Sequence, residues 1–408
     1  MIYLDNNATT RPSAAVREAM GLALAEFWQN PSSVHRGGQE ARREVELARR
    51  AAAEIVGVRA REIVFCGDGT EAIEIAIRGR VQAMRAAGVE RPVVATTAVE
   101  HAAVRDLVTQ MDERGEAQAV WLPLGEHGIV DVSAVERLDP KTTACVSVQW
   151  ANNETGVVQP VERLAAACQR VGVAFHIDAT QWIGKAITDL SLPELAGVSL
   201  LTYSPHKFHG PKGIGVLVAR RGTRLAVLRP GSQELGRRGG TENVPGIVGA
   251  GVACREAMAF LHDEAAVARV AALRDRFQDA VLAAHPEAVV TGLPACSGGG
   301  DRGASGEGSD WQATGRLWNT TNIAFPRLEA EALLLAMSER GLAASAGAAC
   351  SSGSLEASPV LRAMGVPDHV AFGAVRFSLS RETTDAEIDE ALTIVRDVVA
   401  AVGRSLPA

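Results

Sequence analysis

The residues with the clearest chemical purpose lie in the stretch Ser204-Pro205-His206-Lys207-Phe208-His209-Gly210-Pro211-Lys212-Gly213. One apolar run, Val198 to Tyr203, precedes it and another, Gly213 to Ala219, follows it; both read as buried strands. A lysine between two such strands is poorly placed as a solvated charge. Burial in apolar surroundings favours the neutral, nucleophilic amine that Schiff-base chemistry requires. A lone lysine here is more simply a loop-tip residue, and its neighbours change that balance. Ser204 and His206 are donors suited to phosphate, and the Gly and Pro residues permit a tight loop of close approach. Lys207 therefore reads as the Schiff-base lysine of a pyridoxal phosphate enzyme.

Other residues fit that chemistry, each beside a plainer alternative. Gly67-Asp68-Gly69-Thr70 lies between a strand and a helix, where amides and the Thr70 hydroxyl form a phosphate cup; glycine also serves turns of this kind for turning alone. Asp178 ends an apolar strand, where it either holds a pyridinium nitrogen protonated, making the ring an electron sink, or caps a helix. Gln181 and Asn153 are donors suited to a phenolate oxygen. His101 is suited to stacking on a ring and shuttling protons, or is structural. Arg376 sits inside the apolar strand Val375 to Leu379, where an unpaired guanidinium is costly. It needs an anion, either a substrate α-carboxylate gripped bidentately or an internal partner. Cys350, in the small-residue loop Ser345 to Gly353, is an accessible thiol on a flexible segment or a small residue in a tight turn.

These residues must be held by regular elements. Ser13 caps a helix with Val16, Met20, Ala23 and Phe27 on one face, and a charged helix with the stripe Val45, Ala48, Ala52 and Ile55 ends near Gly57. Strands at Glu62 to Phe65, Val93 to Thr96, Thr143 to Trp150 and Val173 to Ile177 alternate with helices. These helices run from Gly67 to about Ala87, from near His101, and from about Val161 to Arg170. Such alternation predicts an α/β fold with a mostly parallel, doubly wound sheet whose ligands bind at the carboxyl ends of its strands. From about residue 260 the pattern changes to a smaller α+β unit. It carries strands at Asn322 to Phe325 and Val375 to Leu379, and helices at Glu329 to Arg340 and from Asp385. The Gly/Ser-rich segment 297–310 reads as a mobile surface insertion.

Composition narrows the function. The 408 residues suggest two domains. A net charge of −7 with no basic stripe argues against nucleic acid as the main partner. No run is seen to approach the ~18 apolar residues of a membrane span, and the first residues lack the features of a signal peptide, so a cytoplasmic protein is expected. Cys66, Cys145, Cys168, Cys254, Cys296 and Cys350 show no CxxC spacing, and all but Cys350 read as small core residues in a reducing compartment.

Taken together, these residues resemble the NifS/IscS-type cysteine desulfurases, fold-type I pyridoxal phosphate enzymes of the class V aminotransferase group. The resemblance spans essentially the whole chain. It rests on Tyr3–Thr10 (YLDNNATT), Asn30–His35 (NPSSVH), Asn152–Gly156 (NNETG), His176–Gln181 (HIDATQ), His206-Lys207, Gln233–Asn243 (QELGRRGGTEN), the Cys350 loop and Arg376–Arg381 (RFSLSR). The segment Ala349–Met364 is similar to the branch with a longer cysteine loop, that of the nitrogenase-associated NifS proteins.

The resemblance implies a large domain (16–260) with a mostly parallel seven-stranded sheet. It also implies a smaller C-terminal domain (261–408), an N-terminal segment (1–15) packed against the latter, and a mobile Cys350 loop at about 343–354. It implies pyridoxal phosphate joined to Lys207, with Gly69, Thr70, Ser204 and His206 on the phosphate and Thr241 reaching it from the other subunit of a homodimer. Asn153, Asp178 and Gln181 hold the ring, His101 stacks on it, and Arg376 with Asn153 binds the carboxylate of L-cysteine. Lys207 moves the Cα proton, and Cys350 takes the substrate sulfur as a persulfide for an iron–sulfur scaffold or another acceptor, with Cys350 also a transient iron–sulfur ligand. A selenocysteine or cystine lyase on the same scaffold, and an inactive partner-binding homologue, are the alternatives. Two departures carry expectations: Asp68 puts a charge in the phosphate loop and should point away, and Pro205 replaces a small residue beside the His-Lys pair.

Overall fold

Strand segments apolar at every position need cover on both faces, and here they build the middle of a twisted sheet. The computed structural model describes residues 1–293, 315–346 and 357–405. Its strands are β1 (Ile2–Tyr3), β2 (Ile63–Cys66), β3 (Val93–Thr96), β4 (Gln118–Trp121), β5 (Thr143–Gln149) and β6 (Phe175–Asp178), followed by β7 (Val198–Tyr203), β8 (Gly215–Ala219), β9 (Val289–Val290), β10 (Thr320–Ala324), β11 (Leu342–Ala343) and β12 (Ala374–Ser378).

The main sheet has seven strands in the order β2-β8-β7-β6-β5-β3-β4. Every pairing from β7 to β4 is parallel, and only β8 runs against its neighbours. β5 is buried along its whole length, as expected of a central strand with both faces covered. The expected mostly parallel sheet is therefore present, with strand ends shifted by a residue or two from the sequence reading. The strand predicted from Val173 starts at Phe175, and Glu62 lies in a short 3-10 turn before β2.

Ser13 caps the helix Ala14–Glu26, its side chain accepting from Val16 N at 3.1 Å. The predicted stripe of the helix Arg36–Glu54 and its C-terminal residue, Val45, Ala48, Ala52 and Ile55, is buried. Two of the elements not read from the sequence are informative. β4 is an edge strand of four partly exposed residues, too short and too mixed to show a period of two. The helix Val244–Leu261 has a mean hydropathy of 1.4 over 18 residues, long and apolar enough to cross a membrane by length and composition, contrary to the reading that no run approaches this. Its buried face packs on the helices Ala14–Glu26 and Arg36–Glu54. A Cβ at Gly251 would stand 2.7 Å from Ala48 Cα, so glycine is what lets these helices meet.

A second core contains Phe277, Trp318, Ile323, Leu333, Phe377 and Val395. It lies under the antiparallel sheet β12-β10-β9 and the helices Glu264–Ala284 and Asp385–Ser405. Ile2 and Leu4 belong to this core, and β1 pairs in parallel with β11. The segment 297–310, Cys296, Cys350 and most of the 343–354 loop lie outside the described residues.

Candidate active site

The carboxyl ends of the parallel strands bring polar turns to one edge of the sheet. There a cavity of about 470 Å³ is lined by Gly69, Thr70, His101, Asn153, Asp178, Gln181, Ser204, His206, Lys207 and Arg376. These are the residues singled out from the sequence, except Thr241 and Cys350. Thr241 lines a separate cavity beside Phe65, Gly67 and Arg238. Cys350 falls outside the described residues.

One end of the cavity is built for an anion. The helix Gly69–Ala86 begins there, and the amides of Gly69 and Thr70 belong to the first turn, which has no acceptors within the helix. Ser204 Oγ faces the same point: a Cβ on Gly69 would stand 3.3 Å from it. Asp68 behaves only partly as expected. It caps the helix by accepting from Glu71 N at 2.7 Å, which turns its charge onto an amide, yet it still lines the cavity. Glu71 in turn receives Arg238 through two contacts of 2.9 Å, tying the segment that carries Thr241 to this helix.

The middle of the cavity holds the titratable groups. Lys207 closes a 3-10 turn directly after β7. Its Nζ donates to the carbonyls of Asn7 and Ala8, each at 2.8 Å. Asp178 caps no helix. Its Oδ1 accepts from Thr180 N at 3.0 Å in a turn. His101 caps the helix Ala102–Glu113, with Nδ1 accepting from Ala103 N at 3.1 Å. That bond assigns the ring proton to Nε2, and burial pushes the His101 pKa down, so the ring is neutral at ordinary pH. Burial and the neighbouring Lys207 push His206 down to about 3, which makes it a neutral donor or acceptor.

The far end presents a guanidinium. The internal-partner reading of Arg376 holds there, with one edge of the guanidinium left over. Its Nη2 pairs with Asp5 Oδ1 at 2.6 Å and its Nη1 donates to Asn153 O at 3.0 Å, while Nε is buried without a partner. Three further buried polar atoms without partners belong to residues of the same cavity: Asn153 Oδ1, Thr180 Oγ1 and Arg105 Nη1. Buried polar atoms are normally satisfied, so their concentration here marks a place made for a polar ligand. An anion cup, a carboxylate at mid-cavity, a lysine and a free guanidinium edge are the donor set that pyridoxal phosphate and an amino acid need. The residues fit that group.

The sequence reading missed four participants. Glu100 is fully buried, accepting from Thr97 Oγ1 at 2.6 Å and Gln149 N at 2.7 Å. Burial raises its pKa to about 8. Asp5 and Asn7 were quoted in a motif without a role. Lys185 is buried, and its signal was available: lysines number only four among 41 basic residues.

Comparison with known proteins follows the same lines. A family model described as aminotransferase class-V matches residues 2–290. "Cysteine desulfurase 2" of Trichormus variabilis is 43% identical over 400 residues, 98% of this chain and 93% of that protein. "Cysteine desulfurase NifS" of Azotobacter vinelandii is 42% identical over 401 residues, 98% of this chain and 92% of that protein. A solved structure titled "NIFS-like protein" superposes with a TM-score of 0.85 at 31% identity, covering 98% of this chain and 99% of its own.

Proposed function

The chain belongs to the class-V aminotransferase family, and we propose that within it the protein is a pyridoxal-phosphate-dependent cysteine desulfurase, converting L-cysteine to L-alanine and a protein-bound persulfide. The observation that carries this reading is the single cavity in which Lys207, Asp178 and Arg376 line the same space as four buried polar atoms without partners.

The cofactor would be held at its phosphate by Gly69, Thr70, Ser204 and His206 and along its ring by Asp178, Gln181 and His101. When bound, it supplies an electron sink for the bond broken at the substrate Cα. Arg376 Nε, Asn153 and the Arg376–Asp5 pair orient the substrate carboxylate, a charge-assisted contact in a water-poor site. Lys207 Nζ takes the Cα proton and returns it, drawing on the flexible stem that lets a lysine reach both positions. The neutral His101 presents Nε2–H to the cavity as a proton carrier.

Sulfur transfer needs a thiolate. Burial raises the thiols of Cys66, Cys145, Cys168 and Cys254, to about 12 for the last three, so none of the four is a nucleophile at neutral pH. Of the other two, Cys296 and Cys350, the family resemblance gives the role to Cys350. Its sulfur bonds to the substrate sulfur as the substrate C–S bond breaks. The thiol proton and the bonding electrons pass to the alanine product, so no outside oxidant or reductant is required.

The assembly in this reading is a cytoplasmic homodimer. Thr241 stands outside the Lys207 cavity of its own chain, and Leu24, Trp28 and Val34 are more than half exposed, an apolar surface suited to a second copy. The described cysteines are all free, as in a reducing compartment. The persulfide is delivered to an iron–sulfur scaffold of the nitrogenase type or to another sulfur acceptor. Alanine and sulfide released from L-cysteine with a thiol reductant should be equimolar in wild type and absent in Cys350→Ala, with bound cofactor retained. Colourless, inactive wild-type protein would sink the reading, and activity surviving in Cys350→Ala would replace it with a lyase.

A further inference from the structure

Asn7 is 1% exposed, yet it lines the cavity and meets two lysines, the buried Lys185 and the half-buried Lys207. Its side chain is fully engaged. Nδ2 donates to Thr320 Oγ1 at 2.9 Å and Asn153 O at 3.2 Å. Oδ1 accepts from Lys185 Nζ at 3.0 Å and Asn319 Nδ2 at 3.1 Å. Its amide donates to Ser378 Oγ at 2.9 Å. Its carbonyl accepts from Lys207 Nζ at 2.8 Å and Gln181 Nε2 at 2.9 Å.

Two consequences follow from these partners. A lysine amine held by two carbonyls is held through its N–H bonds, so the Asn7 and Ala8 carbonyls fix where the Lys207 amine rests. Gln181 is also fixed in one sense, because Lys185 Nζ donates to its Oε1 at 2.5 Å. With Lys185 on one edge and the Asn7 carbonyl on the other, the Gln181 amide cannot be turned over, and its remaining N–H is left for a ligand acceptor. Two of the chain's four lysines therefore converge on one asparagine.

We propose that Asn7 is the positioning residue of Lys207, setting where its amine rests whenever it has no covalent partner and, with Lys185, which edge Gln181 shows to the cavity. The resting place ties the Lys207 amine to two carbonyls in the cofactor-free chain, which makes it slow to react. It receives the amine again when substrate has taken its place. The inference rests on the proposed role of Lys207 for its consequence in turnover, but the geometry is tested without cofactor or substrate, and so independently of whether L-cysteine is the substrate.

The test is competitive acetylation of the full cofactor-free chain by trace acetic anhydride between about pH 7 and pH 10, read peptide by peptide by mass spectrometry. The exposed Lys141 serves as the internal standard. Wild-type Lys207 should react about tenfold less than Lys141 near pH 8, as loss of one charge-assisted hydrogen bond would change it by about that factor. Asn7→Ala, which frees the segment from its four side-chain contacts, should raise Lys207 labelling by roughly five- to tenfold. Thr320→Val is isosteric and removes a single acceptor of Asn7. It should raise labelling by about two- to threefold and stands in if Asn7→Ala does not fold. Thr291→Val, which breaks a buried hydrogen bond to Asn322 elsewhere, should leave Lys207 unchanged. Lys207 labelling unchanged in folded Asn7→Ala and Thr320→Val proteins, or raised equally by Thr291→Val, would overturn the proposal.

Discussion

Replacing Glu100 by Gln should remove a large part of the pH dependence of stability. Glu100 is fully buried, and burial, reinforced by Asp178, raises its pKa from 4.5 to about 8 against the opposing hydrogen bond from Thr97. At neutral pH the folded chain therefore carries a neutral acid. Gln149 N donates to Oε2 and Thr97 Oγ1 donates to Oε1. In the unfolded chain the same group ionises near its ordinary value. The folded state thus binds the extra proton, so the stabilisation is complete below about pH 4.5 and is lost as pH rises through about 8. A rise of this size corresponds to roughly 5 kcal/mol at 1.36 kcal/mol per pH unit, comparable to the whole stability of a small domain. Glutamine keeps the shape, can accept from Gln149 N through its oxygen and donate to Thr97 Oγ1 through its amide, and has nothing to ionise. Urea titrations of the cofactor-free wild type and Glu100→Gln from about pH 5 to pH 9 should show the variant losing much less stability and exceeding wild type at the alkaline end. His101 and His206, held neutral by partial desolvation, drive stability the other way as pH rises, but they are common to both proteins and cancel in the difference. Parallel pH curves for the two proteins would refute the reasoning.

Two other perturbations have defined outcomes. Arg376→Lys keeps the charge but loses the planar fork that joins Asp5, Asn153 and the free Nε edge. KM for L-cysteine should rise by about tenfold or more while folding is retained; an unchanged KM would remove Arg376 from carboxylate binding. Glu234→Gln leaves the buried Arg49 without its bidentate partner, whose two contacts are 2.6 and 2.8 Å, and weakens the acceptor for Phe65 N. It should cost about 3–5 kcal/mol in denaturant titrations, and a loss below about 1 kcal/mol would show that the pair is dispensable.

Much of the site was legible before the fold. Lys207, Asp178, Ser204 and the Gly69-Thr70 turn each follow an apolar run, and a run followed by a polar turn is a local pattern of a few residues. In a parallel sheet all such turns share one edge, so their convergence follows once the strands are read. Arg376 was legible for a different reason: a guanidinium inside an apolar strand has to find an anion. Less was legible where the period failed, as in the partly exposed β4, or where glycine and alanine replaced larger apolar residues, as in the helix Val244–Leu261.

Residue type and spacing alone determined that this chain forms a mostly parallel α/β sheet with amine, carboxylate and guanidinium chemistry at its strand ends. Only the tertiary structure decided which partners those groups keep. It gave Asp5 to Arg376, the Asn7 and Ala8 carbonyls to Lys207, and a protonated form to Glu100. Asn7 and Ser378 are 371 positions apart, and Asn7 and Lys185 are 178 apart. No local periodicity encodes such pairings, because they exist only after two separately packed cores have closed on the same asparagine. The protonation of Glu100 has the same origin, since a carboxyl group's pKa is set by the water it loses, and that loss is a property of the packed chain.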